Sequence, residues 1–315
     1  MTSLPPADPT GARGASSADA GSPEWLPAFL EAERLPASFA AELERWQAPL
    51  AQVLAQQAQS RPGLLVGICA PQASGKTTLC QVLERLLAEQ GLTAVTLSLD
   101  DLYLPRAERE RLAREVHPLL LTRGVPGTHD VALGASLVDA LRRPGPVRLP
   151  RFVKAADDRA PADEGRVIEG PVDLILFEGW CVGARPQPDA ALAEPANPLE
   201  REEDADGRWR RFANDRLAGD YAELFGRMDL QVLLAPPGFE VVAGWRKEQE
   251  RKLRERLAAE GLPPARAMTD AQVDRFVAHY ERLTRWILQE APARADALVR
   301  LDEARRGRVE RLPGG

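Results

Sequence analysis

The run Leu64-Leu65-Val66-Gly67-Ile68-Cys69-Ala70-Pro71-Gln72-Ala73-Ser74-Gly75-Lys76-Thr77-Thr78 decides the fold. Its first six residues are apolar with no alternation, as in a strand buried on both faces of a parallel sheet. The residues that follow fit the phosphate-loop pattern G-x-x-x-x-G-K-[ST], with Ala70 in the place of the first glycine. A helical pattern then opens at Lys76 and runs to Glu89, closed by Gly91. Strand, loop and helix in that order are the setting the motif requires. Inward-turned backbone N–H groups and the helix N-terminus would cradle a polyphosphate. Gly75 allows close backbone approach, Lys76 reaches the β- and γ-phosphates, and the Thr77 hydroxyl binds Mg²⁺. Gln72, Ala73, Ser74, Gly75, Lys76, Thr77 and Thr78 are therefore the expected nucleotide contacts.

Working outward, Thr93 to Leu99 reads as a second strand, Val172 to Phe177 as a third, Leu230 to Ala235 as a fourth and Ala297 to Leu301 as a last. Helical patterns fit 106–115, 133–142, 209–225, 241–260 and 271–289. Strands alternating with helices predict an α/β fold: a P-loop NTPase-type parallel sheet with helices on both faces. The second strand ends at Asp100-Asp101 and the third at Glu178-Gly179-Trp180. Ligands of open parallel sheets bind beyond the carboxyl ends of the strands. Asp100 and Glu178 are thus placed near the γ-phosphate. One could accept the proton of an attacking hydroxyl and both could hold Mg²⁺ or its waters. Asp101 reads more simply as a capping or solvated carboxylate.

The flanks read differently. Residues 1–22 are Pro, Gly, Ala, Ser and Asp, too poor in large apolar side chains to order themselves. A helical extension follows over 23–60, broken by Pro36. The kinase-like domain is expected over 61–305 and a tail over 306–315. The Pro-, Gly- and charge-rich segments 143–170 and 184–207 are too long for plain connections and read as lid-like insertions. A net charge of −6 argues against a nucleic-acid partner. Cys69, Cys80 and Cys181 have no metal-ligand spacing. With no apolar run of membrane length and no leader pattern, a cytoplasmic setting away from membranes is expected.

The acceptor side is read from basic loops. Arg123-Gly124-Val125-Pro126-Gly127-Thr128-His129-Asp130 precedes a helix, which Asp130 could simply cap. His129 is one of three histidines and a candidate substrate contact. Arg151 and Lys154, in Pro150-Arg151-Phe152-Val153-Lys154, could bind an anionic acceptor or could be a solvated basic loop. Arg246 opens a charged helix and could close over a triphosphate as a transition-state cation, although a salt-bridged exposed face would look the same.

Taken together, these residues resemble the D-glycerate 3-kinase group within the phosphoribulokinase, uridine kinase and pantothenate kinase family. The matching pieces keep their order: 70–79, Ser98-Leu99-Asp100-Asp101-Leu102-Tyr103-Leu104, Arg123 to Asp130, Pro150 to Lys154, Phe177-Glu178-Gly179-Trp180 and Trp245-Arg246, with a weaker echo in Asn214, Leu217 and Tyr221. The resemblance implies ATP- and Mg²⁺-dependent phosphorylation of a hydroxyl, that of D-glycerate first. Asp100 would be the base and Glu178 the second acid, while Arg123, Thr128, His129, Asp130, Arg151 and Lys154 would line the acceptor pocket. Three positions depart from the family pattern: Ala73 stands where members usually carry Gly, Val153 where Asp or Asn is expected, and Ala155 where Ser is expected. The rival readings are a kinase of another small acceptor (nucleoside, pantothenate or sugar phosphate) and an ATP-binding regulatory module that transfers nothing.

Overall fold

The computed structural model describes residues 22–259, 261 and 267–314. Strand β1, Leu64–Cys69, lies in the middle of a six-stranded sheet. Leu64, Leu65, Val66 and Ile68 are each no more than 1% exposed. Transfer of each such side chain from water contributes roughly 1.5–3 kcal/mol. The other sheet strands are β2 (Ala94–Ser98), β7 (Leu174–Gly179), β8 (Leu230–Ala235), β9 (Ala297–Leu301) and β10 (Gly307–Arg311), in the order β10-β9-β8-β1-β7-β2. All adjacent pairs run parallel except β9 with β10. Between β2 and β7 the chain makes two small antiparallel ladders. These are β3 (Gly145–Arg148) with β6 (Val167–Gly170), and β4 (Phe152–Val153) with β5 (Asp158–Arg159). The segment expected as an insertion over 143–170 therefore has strand structure of its own.

The helices are α1 (Leu26–Ala32), α2 (Phe39–Glu42), α3 (Ala48–Ser60), α4 (Lys76–Glu89), α5 (Arg106–Glu115), α6 (Val131–Leu141), α7 (Pro198–Glu203), α8 (Arg208–Arg216), α9 (Ala222–Phe225), α10 (Glu240–Ala259) and α11 (Asp270–Glu290). Helix α11 begins with a capping box, the Thr269 side chain on the Gln272 N–H and the Gln272 side chain on the Thr269 N–H. Alternation along β1 sends Leu65 and Cys69 to a core shared with Val138 and Leu141 of α6 and Tyr280 and Ile287 of α11. Leu64, Val66 and Ile68 point to the opposite face; α4 packs against β2 and β7 and also against α3.

The chain divides into two compact units at Ala41 and Glu42. In the first, Leu26 and Phe29 of α1 are buried, and the Phe29 ring lies 6.2 Å from that of Phe39. The division corrects the extension expected over 23–60. Its second half belongs to the larger unit, because Trp46, Leu50 and Leu54 are buried there. A second correction falls at the C-terminus, where β10 replaces the expected tail. Its residues Gly307-Arg308-Val309-Glu310-Arg311 make a mostly polar edge strand, with Val309 its one large apolar residue. The helix expected over 209–225 is interrupted by a π turn over Leu217–Tyr221, where Gly219 leaves helical geometry. The expected disordered tail, apart from Ser22, lies outside the described residues. No helix among the described residues is long and apolar enough to cross a membrane.

Candidate active site

The phosphate loop rises directly from β1. The Ser74 hydroxyl donates to the Pro71 carbonyl at 2.7 Å. Ala73 and Gly75 both take left-handed backbone, at φ 60° and 92°. A Cβ at Gly75 would meet no atom within 4 Å, so glycine serves there for its dihedral and for the open space it faces. Lys76 and Thr77 form the first turn of α4, where unpaired N–H groups and the dipole favour phosphate.

The strand register brings the acids to this loop. Ile68 of β1 and Ser98 of β2 both align with Glu178 of β7, so Asp100, two residues further on, lies beyond the strand ends. The Ser98 hydroxyl donates to Glu178 Oε1 at 2.8 Å. Glu178 Oε2 lies 3.9 Å from Lys76 Nζ and is buried without a hydrogen-bond partner. Both oxygens of Asp100 are engaged, Oδ1 by the Tyr103 hydroxyl and Oδ2 by Lys154 Nζ, each at 2.7 Å. Two cations thus face two carboxylates.

These neighbours set the protonation states. Burial raises the Asp100 carboxyl, but Lys154, Lys76 and the Tyr103 hydroxyl outweigh it and hold it well below its ordinary value. Burial raises Glu178, helped by the charge of Asp100 and opposed by Lys76 and Ser98; the net shift is upward. Burial lowers the Lys76 ammonium, yet Glu178 and Asp100 carry it above its ordinary value. Asp100 is a secured anion and Lys76 a secured cation.

The loops expected on the acceptor side meet around Tyr103. His129 is 2% exposed and stacks on the Tyr103 ring with centroids 4.8 Å apart. Its Nδ1 lies 2.6 Å from the Tyr221 hydroxyl, which also accepts from the Gly127 N–H at 3.0 Å. Burial holds the imidazole down to about 3. The Arg123 guanidinium lies over Phe152 and pairs with Asp157. The loop's backbone is tied to the core by Trp180 Nε1 on the Gly124 carbonyl at 2.8 Å and by the Tyr280 hydroxyl on the Arg123 carbonyl at 2.9 Å.

No family model matches the chain. Over 237 residues the chain is 32% identical to the uncharacterized kinase mug58 of Schizosaccharomyces pombe, covering 70% of this chain and 79% of that one. The chain belongs to the D-glycerate 3-kinase-like P-loop kinases. It is 31% identical over 230 residues to the chloroplastic D-glycerate 3-kinase of Arabidopsis thaliana, 70% of this chain but only 46% of that longer protein. Among solved structures, the D-glycerate 3-kinase of Cryptococcus neoformans superposes with a TM-score of 0.67 at 25% identity, over 83% of this chain and 97% of that one. The YGR205w protein superposes at 0.60, also at 25% identity, over 80% and 90%.

In this kinase the expected residues do not all converge. Lys76, Asp100, Glu178 and Lys154 form one cluster, and His129 and Arg123 join it through Tyr103. Thr128 is fully buried and closes its own loop, accepting from the Gly124 N–H at 2.9 Å and donating to the Val125 carbonyl at 2.7 Å. Asp130 caps α6 through the Leu133 N–H at 3.0 Å. Arg151 is exposed and pairs with Glu164. Arg246 pairs with Glu250 of its own helix, donates to Gln249 and lies over Phe276. Asp101 accepts from the Phe152 N–H at 2.9 Å and pins the basic loop.

Tyr103 and Arg109 belong to the site without being singled out by the sequence. Tyr103 already stands in the Asp100–Tyr103 motif, and the signal was its hydroxyl three residues from the acid. Arg109 is 0% exposed. It donates to the carbonyls of Leu104, Leu121 and Asp157 and pairs with the Asp157 carboxylate at 3.1 Å. In the sequence it is one arginine among several in α5, and nothing local marks it.

Proposed function

We propose that this ATP-dependent kinase transfers the γ-phosphoryl group to the 3-hydroxyl of D-glycerate. The observation that carries the reading is Asp100, an ionised carboxylate beyond the end of β2, with Lys154 on one oxygen and Tyr103 on the other. The family likeness to D-glycerate 3-kinases supports the choice of acceptor.

The Thr77 hydroxyl and Glu178 Oε2 would hold Mg²⁺, since a buried carboxylate oxygen without a donor suits a hard cation. When bound, Mg²⁺ neutralises charge on the transferring phosphates. Lys76 neutralises the bridging and terminal phosphate oxygens. Asp100 orients the acceptor hydroxyl and receives its proton as the new O–P bond forms and the bond to the ADP oxygen breaks. An anion held so far below the usual carboxylate range is a weak base. It matches a loose transition state, in which proton transfer comes late and positioning supplies most of the rate. Lys154, 63% exposed at its side chain, can turn from Asp100 toward the acceptor's carboxylate, with Arg123 beside it. Val153 and Ala155 leave that rim less polar than the family pattern, so recognition falls on the cations. The proposed partner is a small anionic hydroxy acid, not a nucleic acid or a membrane, and the proposed setting is the cytoplasm.

The test is ADP release from Mg-ATP with and without D-glycerate, with Lys76→Ala as the blank. Glycerate-dependent release that is lost in the variant supports the reading. ATP binding without glycerate-stimulated release would move the acceptor to another hydroxyl compound.

A further inference from the structure

The turn between β9 and β10 reaches the phosphate loop. Arg305, in that turn, donates from Nε to the Ala73 carbonyl at 2.9 Å. Two contacts hold its guanidinium in place, and a third fixes the ring it lies on. Nη2 pairs with Glu248 of α10 at 2.8 Å, the plane lies 5.1 Å from the Trp245 ring, and Trp245 Nε1 in turn donates to the Glu303 carbonyl at 2.8 Å. Glu248 is held ionised, chiefly by hydrogen bonds from Lys252 and Arg305. The turn has its own internal frame. The Arg305 N–H donates to the Asp302 carbonyl, and Asp302 accepts from the Arg306 N–H through its carboxylate at 2.8 Å.

The residue it grips is unusual. Ala73 has φ 60°, a conformation that an L-residue with a Cβ adopts only at a cost and that glycine adopts freely. Such backbone persists where the surroundings over-determine it. Within the phosphate loop, Ser74 bonds back to Pro71, and Arg305 grips the carbonyl of the strained residue itself.

We propose that Arg305 is a positioning residue for nucleotide binding: it holds Ala73 in the left-handed conformation that shapes the phosphate loop, a task a glycine at 73 would make unnecessary. Arg305 acts through Ala73 and not on the nucleotide. The inference rests on the kinase reading of the loop but not on the acceptor, because its readout is Mg-ATP binding alone.

The experiment is a double-mutant cycle on the full chain, with the Kd for Mg-ATP read by titration calorimetry and the melting midpoint of the unliganded protein as a control. Arg305→Ala is expected to weaken Mg-ATP about tenfold, the scale of one charge-assisted hydrogen bond. Ala73→Gly supplies the second background, and its own Kd is the reference there. In the Ala73→Gly background the loss from Arg305→Ala should shrink to less than about threefold. Equal losses in both backgrounds would overturn the proposal and point to direct contact between Arg305 and nucleotide. So would a loss below about twofold in the parent, given that a charge-assisted hydrogen bond predicts more. If Arg305→Ala lowers the melting midpoint too far to be titrated, Glu248→Gln serves in its place. It leaves Arg305 present but without its ion pair, and its weakening of Mg-ATP must likewise vanish in the Ala73→Gly background. Failure of the parent itself to bind Mg-ATP would instead refute the kinase reading.

Discussion

The donor side and the acceptor side proposed for the site are built on opposite plans. The donor side is one continuous stretch from β1 into α4, with Gly75 facing open space and Lys76 on the first turn of the helix. The acceptor side is gathered from positions far apart in the chain, and its cations already have partners: Lys154 on Asp100, Arg123 on Asp157, Arg159 on Asp130 and Arg151 on Glu164. A triphosphate can settle into a cradle made in advance. An anionic acceptor has to compete with the protein's own carboxylates for each cation it uses. Nucleotide binding should therefore be insensitive to changes among the loops, while acceptor binding should respond to salt and to single charges.

Lys76→Ala strikes the side made in advance and should have the largest effect, a fall in turnover of about 10³-fold or more in an ADP-release assay. A smaller loss would mean that the loop amides carry the phosphates without it. Asp100→Asn strikes the junction of the two sides. Turnover is expected to fall about 10²-fold, with the Kd for Mg-ATP unchanged; normal turnover would remove the residue from the reaction. Lys154→Ala tests the acceptor side. The KM for D-glycerate should rise about tenfold while that for ATP stays put, and a rise in both would show that the two sides are not separable. The last prediction concerns stability against pH and not turnover. His129 takes up a proton near its ordinary value of 6.5 in the unfolded chain but only near 3 when buried. Its contribution to stability is thus fully present above 6.5 and is lost as pH falls toward 3. The slope is about 1.4 kcal/mol per pH unit for this one proton. His129→Gln should flatten that limb in urea unfolding curves measured across the window. His279, also lowered by burial, adds to the limb in the same direction, so some slope remains in that variant.

What the sequence revealed follows the same division. Strand, phosphate loop and helix are readable because consecutive residues specify them, and β1, α4, α5, β8 and β9 lie where apolar runs and helical spacing put them. Asp100 and Glu178 are readable because a strand end is a local signal. The ion pairs are not. Lys154 stands 54 residues from the carboxylate it meets, and either residue alone looks like a solvated charge. Arg246 illustrates the converse. Its place on a charged helix suggested a cation reaching for phosphate, yet Glu250 four residues on, only 3% exposed, takes it. The edge strand β10 was invisible for a related reason. Its register is set by β9 and its side chains are mostly polar, so neither propensity nor pattern betrays it.

The three cysteines have a practical consequence. Cys69 ends β1, Cys80 sits in α4 and Cys181 follows Trp180; all are unpaired and at most 1% exposed. Burial pushes the Cys69 thiol up to about 12 and the other two well above their ordinary value. A thiol in that state does not react with alkylating reagents. Each lies within a few residues of the catalytic centre, so labelling of any one of them reports that the centre has come apart. The rate of thiol modification is thus a built-in clock for opening of the nucleotide core, and bound nucleotide should slow it.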